Sequence, residues 1–192
     1  MLRIYSDKEF YKIISPILRN SEFQRRRTFL HHQDSVYDHC LRVSYRAYKI
    51  SCFLSKFTNI RVENAVIAGL LHDFYLEPWR DRKCKNFFKM HGFVHGGISK
   101  WNSYQFFPEY MNSRIANSIH RHMFPLTIIP PRYLEGWVVT LADKIVSLEV
   151  FSHPKELPKY LGFNLEVWSY YPKKIYVCTK RLFLTVTRPD KI

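Results

Sequence analysis

Ala65-Val66-Ile67-Ala68-Gly69-Leu70-Leu71-His72-Asp73 is the stretch on which the reading of this chain turns. An unbroken apolar run leads straight into an imidazole and a carboxylate. From about Arg61 to Asp73 the spacing predicts a helix, with Ala65, Gly69 and His72 sharing one face. Adjacent helical side chains point roughly 100° apart, so His72 and Asp73 can reach one ion only if it sits near the helix end. A buried, unpaired aspartate is costly, and coordination to a cation is one of the few ways to remove that cost.

Helical periodicity extends on both sides of this stretch, over most of the chain up to about residue 151. Ser6-x-x-Glu9 and Ser35-x-x-Asp38 are capping-box patterns that open helices near 6–19 and 35–54. On the second, His39, Val43, Ala47, Ile50 and Leu54 form one stripe, which turns His39 inward. A polar, basic loop is expected from about Glu77 to Lys89, and further helices near 94–106, 109–123 and 131–151. Pro130-Pro131 suits the first turn of the last one. After Ser152, His153-Pro154 and Leu157-Pro158 break helices, and Lys174 to Arg188 reads as a strand or short hairpin. The expectation is an all-α domain over 1–151 with a basic, irregular or β-containing extension, 152–192, packed on the same domain.

His39, His72, Asp73, His91, His95, His120, His122 and Asp143 fall on or near the inward faces of these helices. Imidazoles and carboxylates together suit divalent transition metals, and a site with several of each can hold one or two ions. Asp143 repeats the motif of Asp73, interrupting Val138-Val139-Thr140-Leu141-Ala142. Each residue also has an ordinary reading. A single histidine on an apolar stripe is usually a hydrogen-bonded core residue, and Asp143 has Lys144 beside it as a partner. His31 and His32 read as cap or surface residues.

Composition narrows the class. The 192 residues are 46% hydrophobic and 17% aromatic with only 6 glycines, which excludes a disordered or collagen-like chain. No apolar stretch approaches the roughly 20 residues of a membrane span, and no apolar leader precedes a cleavage site at the N-terminus. Cys40, Cys52, Cys84 and Cys178 contain no C-x-x-C pair, so reduced thiols and a cytoplasmic location are expected. The 30 Lys plus Arg against 16 Asp plus Glu give +14, which favours an anionic partner. The excess is spread along the chain, Arg25-Arg26-Arg27 being the tight cluster, so a dedicated nucleic-acid surface is disfavoured.

His39, the dipeptide in Gly69-Leu70-Leu71-His72-Asp73, and Asp143 in Leu141-Ala142-Asp143-Lys144 match the H…HD…D signature, and over roughly residues 31–151 the chain resembles the HD-domain metal-dependent phosphohydrolases. The resemblance implies a helical bundle around a metal centre and hydrolysis of a phosphate ester or anhydride. Some HD proteins carry two further histidines and two metals. His95, in His95-Gly96-Gly97-Ile98, and His122, in Ser118-Ile119-His120-Arg121-His122, are similar to those positions. Many members also carry Lys or Glu three residues beyond the HD aspartate. Here that position is Leu76, with Glu77 one later.

The expected cofactor is therefore one or two divalent ions (Fe, Mn, Co, Ni or Zn) held by His39, His72, Asp73, His95, His122 and Asp143. Asp73, His72 and Lys144 are the expected catalytic groups. Arg121, Arg132, Arg82, His91 and His120 are expected to face a small phosphorylated substrate, a nucleotide being the leading candidate. The alternatives are a catalytically silent, metal-containing nucleotide-binding module, and less favoured, a nucleic-acid-binding protein or HD nuclease.

Overall fold

The computed structural model describes residues 7–31, 34–76 and 91–152. The chain divides into two units, Met1–Glu156 and Leu157–Ile192, and every described residue lies in the first. The Ser6 cap, the loop from Glu77 to Lys89 and the 153–192 part of the extension fall outside the described residues.

The described fold is all-α. Helix α1 (Asp7–Leu18) is followed by the short α2 (Ser21–Gln24) and a 3-10 turn at Arg25–Thr28. Two-residue strands, β1 (Leu30–His31) and β2 (Asp34–Ser35), pair antiparallel just before α3 (Val36–Leu54). Then come α4 (Val62–Leu71), α5 (His91–Phe106), a 3-10 turn at Pro108–Tyr110, α6 (Ser113–Arg121) and α7 (Leu134–Ser152).

Local chemistry accounts for most of these starts. Ser35 Oγ accepts the Asp38 N–H at 3.1 Å, and its hydroxyl donates to Asp38 Oδ2 at 2.7 Å, so half of the expected capping box is a direct side-chain pair. Asn20 caps α2 by accepting from the Glu22 and Phe23 N–H groups. Asn112 caps α6 through Arg114 and Ile115 N–H, both at 3.0 Å, which moves the start of this helix from the expected 109 to Ser113. The last helix starts at Leu134 rather than 131, because Pro131 packs beneath it. A Cβ on Gly136 would lie only 2.6 Å from Pro131 Cβ.

Val43 and Ala47 of α3, Ala65 of α4, and Val138, Ala142 and Val146 of α7 form one apolar cluster closed by Ile60. Burying such side chains fully contributes about 1.5–3 kcal/mol for each large one. The α3–α4 contact is close because Gly69 has no Cβ: one built there would sit 3.1 Å from Ser44 Cα. Ser44 Oγ also donates to Val66 O at 2.8 Å. At the N-terminus of α4, the fully buried Glu135 accepts the Arg61 N–H at 3.1 Å and pairs with Arg114 at 3.1 Å. A carboxylate there complements the positive end of the helix and ties α4, α6 and α7 together. No helix among the described residues is long and apolar enough to cross a membrane.

Candidate metal centre

Six ionisable side chains from five helices or helix ends converge in the middle of this bundle. His39 comes from α3, His72 and Asp73 from the end of α4, His95 from α5, His122 from the end of α6 and Asp143 from α7, and all six are buried. The rings form a chain. Centroids are 5.2 Å apart for His39–His72, 4.9 Å for His72–His122 and 4.8 Å for His95–His122.

Backbone carbonyls decide which nitrogens face inward. His72 Nδ1 lies 2.8 Å from Gly69 O and His122 Nδ1 lies 2.7 Å from Ile119 O. A carbonyl only accepts, so each Nδ1 carries the proton and donates it. Burial lowers the pKa of both rings, that of His122 to about 3, with the neighbouring histidines adding to the effect for His122. Both rings are therefore neutral near pH 7, and each Nε2 presents a lone pair to the centre. This orientation of a metal-binding imidazole by a carbonyl at its other nitrogen recurs in metal sites.

The acceptor atoms sort into two groups. Asp143 Oδ1 lies 3.2 Å from His39 Nε2 and 3.8 Å from His72 Nε2. Asp73 Oδ2 faces the same two nitrogens at 3.9 and 3.6 Å. The other oxygen, Asp73 Oδ1, faces His95 Nε2 at 3.2 Å and His122 Nε2 at 3.8 Å. His39 and His72 Nε2 are 3.3 Å apart, and His95 and His122 Nε2 are 2.9 Å apart. Nitrogen and oxygen ligands at about 2.0–2.2 Å from one ion lie roughly 3–3.5 Å from each other, close to these separations. Among the described residues, His39–His72–Asp143 and His72–Asp73–His122 are the groups whose ligand atoms lie close enough to hold an ion. The donor set, imidazoles with carboxylates, fits a divalent transition metal.

Asp143 has two further partners. Lys144 Nζ lies 2.9 Å from its Oδ2, with 42% of the lysine side chain exposed, and Ser147 Oγ is 3.5 Å from its Oδ1. Burial by itself would raise the Asp143 pKa, but the hydrogen bond from His39 and the surrounding His72, His39 and His122 imidazoles hold it well below the usual carboxylate value. Both readings of Asp143 are thus realised, as a lysine partner and as a member of the histidine cluster.

The residues expected around the substrate are less concentrated. His120 is half-buried between α5 and α6, its ring facing Gly97, with its pKa lowered by burial and by Arg121 and Lys100. Arg121 ends α6 beside it. Arg132 is exposed, its guanidinium 5.6 Å over the Tyr133 ring and its N–H bonded to Asn117 Oδ1. His91 opens α5, but its side chain and all of Arg82 lie outside the described residues, as does His32; His31 pairs in β1.

Neither of two buried donors behind the centre was singled out from the sequence. Arg26 stood in the basic cluster Arg25-Arg26-Arg27 and Asn102 on an ordinary helix face. In the structure Arg26 is fully buried and donates to Tyr75 O, and Asn102 Nδ2 donates to Phe74 O at 3.0 Å. The signal for Arg26 was its place one turn after the buried Phe23.

A helical bundle whose core brings together four imidazoles and two carboxylates has groups that could hold a metal ion. The HD domain family model matches residues 36–148, more than half of the sequence, and the chain belongs to that family, whose members are in general metal-dependent hydrolases. None of the curated proteins and none of the solved structures matches it significantly.

Proposed function

We propose that the protein is a metal-dependent phosphohydrolase that cleaves a phosphate ester or anhydride of a nucleotide or another small phosphorylated metabolite. One observation carries the reading: the two oxygens of Asp73 face two different imidazole pairs, one joined by Asp143. In this reading His39, His72 and Asp143 would hold one divalent ion and His95 and His122 a second, with Asp73 available to either. When bound, such ions lower the pKa of water to about 7 and neutralise charge on phosphoryl oxygens.

The chain's own groups supply orientation, exclusion of water and positive charge. Gly69 O and Ile119 O hold the His72 and His122 rings in the tautomer that presents Nε2. Lys144, half in solvent beside Asp143, places an ammonium at the edge of the centre for a phosphate oxygen, and Arg121 offers a second positive edge at the end of α6, with His120 beside it as a neutral imidazole. Thiol catalysis is disfavoured at Cys40, where burial and the Asp73 carboxylate push the pKa well above its ordinary value. The free Cys40 and Cys52 suit the cytoplasm.

The test is elemental analysis of protein purified without chelator, followed by turnover of a nucleotide panel with added Mn, Fe, Co or Ni in ¹⁸O-labelled water. Metal-dependent release of phosphate, with ¹⁸O incorporated in a product and no phosphorylated protein, is expected. A trapped phosphoenzyme, or full activity after verified metal removal, overturns it. Metal binding without turnover of any phosphorylated compound favours a silent nucleotide-binding module, the reading suggested by Leu76 at the position where many family members carry Lys or Glu.

A further inference from the structure

Immediately after the His72-Asp73 pair the backbone leaves α4 in a tight turn. Phe74 N–H bonds Leu71 O at 3.1 Å and Tyr75 N–H bonds Asp73 O at 2.9 Å. The next two carbonyls, of Phe74 and Tyr75, point into the protein interior and accept from side chains of two separate elements. Asn102 of α5 donates to Phe74 O, and Arg26 of the 3-10 turn at Arg25–Thr28 donates to Tyr75 O.

Arg26 is an expensive residue for this place. It is fully buried, with Glu22 Oε2 at 3.4 Å as its carboxylate partner and the rings of Phe29 and Phe74 against its guanidinium at 4.6 and 5.1 Å. Burial lowers its pKa to about 10, with Glu22 opposing, so it stays charged at neutral pH. A buried ion pair is rarely more stabilising than an apolar side chain of the same volume. An apolar side chain would fill the space between Phe29 and Phe74 and leave Tyr75 O without this donor. The cation adds a directed hydrogen bond to a backbone carbonyl two residues from the shared carboxylate.

We infer that Arg26 and Asn102 are positioning residues that clamp the Phe74-Tyr75 backbone and thereby hold Asp73 with one oxygen toward each imidazole pair. This rests on the metal-centre reading and requires nothing about the substrate. The clamp reaches the centre from behind: Asn102 approaches with α5, which also carries His95, and Arg26 from the turn at Arg25–Thr28, which carries none of the six clustered side chains. A shift of a few tenths of an ångström in the turn moves Asp73 toward one pair and away from the other, so the cost falls on ion binding.

The test is Co(II) affinity and the Co(II) absorption spectrum for the full chain, measured well below each variant's melting temperature. The variants are Arg26→Met, Arg26→Lys and Asn102→Ala, with Ile14→Ala, a buried α1 residue that makes no bond to the Phe74 or Tyr75 carbonyl, as a stability control. Arg26→Met and Asn102→Ala are expected to weaken Co(II) binding about 10–100-fold, as outer contacts to a metal site do, and to change the ligand-field bands. Arg26→Lys, which keeps a charged donor for Tyr75 O, is expected to recover part of the loss. Ile14→Ala is expected to lower the melting temperature and leave affinity unchanged. Wild-type affinity and spectrum in Arg26→Met and Asn102→Ala overturn the clamp, as does an affinity loss matched by Ile14→Ala. If Arg26→Met does not accumulate folded, Asn102→Ala and Arg26→Lys decide the matter by the same readings. Failure of the wild-type chain to bind Co(II) defeats the metal reading itself, and the clamp with it.

Discussion

The two halves of the histidine cluster are built differently. His39, His72 and Asp143 stand on α3, α4 and α7, whose packing around Val43, Ala65 and Ala142 forms an apolar core of the domain. His95 and His122 stand on α5 and the end of α6, which meet at a glycine: a Cβ on Gly96 would lie 2.9 Å from His120 O and 3.1 Å from Ile119 O. The first half is positioned by side-chain burial along long helices. The second depends on two backbones touching, at the carbonyl whose hydrogen bond orients His122. A core held by many contacts tolerates small changes better than one close approach does, so the second half is the more sensitive.

The largest expected effect removes the difference between the halves. Asp73→Ala deletes the carboxylate that faces both halves, and metal content is expected to fall to background, beyond the roughly 10–100-fold losses typical of outer contacts. Elemental analysis of protein purified without chelator checks this, and metal content equal to wild type breaks the shared-ligand reading.

Single histidines should separate the halves. His122→Ala is expected to leave one ion on His39, His72 and Asp143, whereas His39→Ala should strip that ion preferentially. Anomalous scattering from metal-replete crystals of each variant locates the ion that remains. Identical losses from the two variants would mean that the cluster works as one site.

A smaller effect is expected from Gly96→Ala. The added methyl must push α5 away from α6, at a cost of about 1–3 kcal/mol for an overpacked contact, partly offset by the better helix propensity of alanine, about 0.5–1 kcal/mol. Urea unfolding should show modest destabilisation, and titration calorimetry a loss confined to the second ion. Loss of both ions together would argue against independent positioning of α5 and α6.

The mildest effect is that of pH on the metal-free protein. His72 and His122 have folded-state pKa values below the ordinary 6.5, about 3 for His122. Between those limits the unfolded chain binds more protons than the folded one, so stability rises with pH and falls as pH drops below about 6.5. For Asp143 the folded value is also depressed, so its contribution is present above the unfolded carboxylate value and is lost only at lower pH. Denaturant unfolding in chelator between pH 7.5 and 5 should therefore show decreasing stability, and His122→Gln should flatten that dependence. A flat wild-type profile would contradict the buried, neutral rings.

Much of this could be read in the residues. The stripe His39, Val43, Ala47, Ile50 and Leu54 marks the inward face of α3 because a 3.6-residue period leaves few other arrangements that bury it, and these positions are buried or partly buried. Ser35 marks the helix start because its hydroxyl can replace a backbone acceptor. The starts of α6 and α7 lie four and three residues beyond the expected positions. Asn112 outcompetes the earlier Pro108 turn as a cap, and Pro131 is used for packing under Gly136 rather than as the first helical residue.

The sequence by itself determined the helical class and placed His39, His72, Asp73, His95, His122 and Asp143 on buried faces, because periodicity and capping are local properties of neighbouring residues. Only the tertiary structure decided that Asp73 faces both imidazole pairs and that Gly69 O and Ile119 O set the tautomers. It also decided that Arg26, one of three consecutive arginines, is the buried one bonded to Tyr75 O. Those facts depend on distances between residues far apart in the chain, and a one-dimensional pattern carries no information about how closely two helices approach.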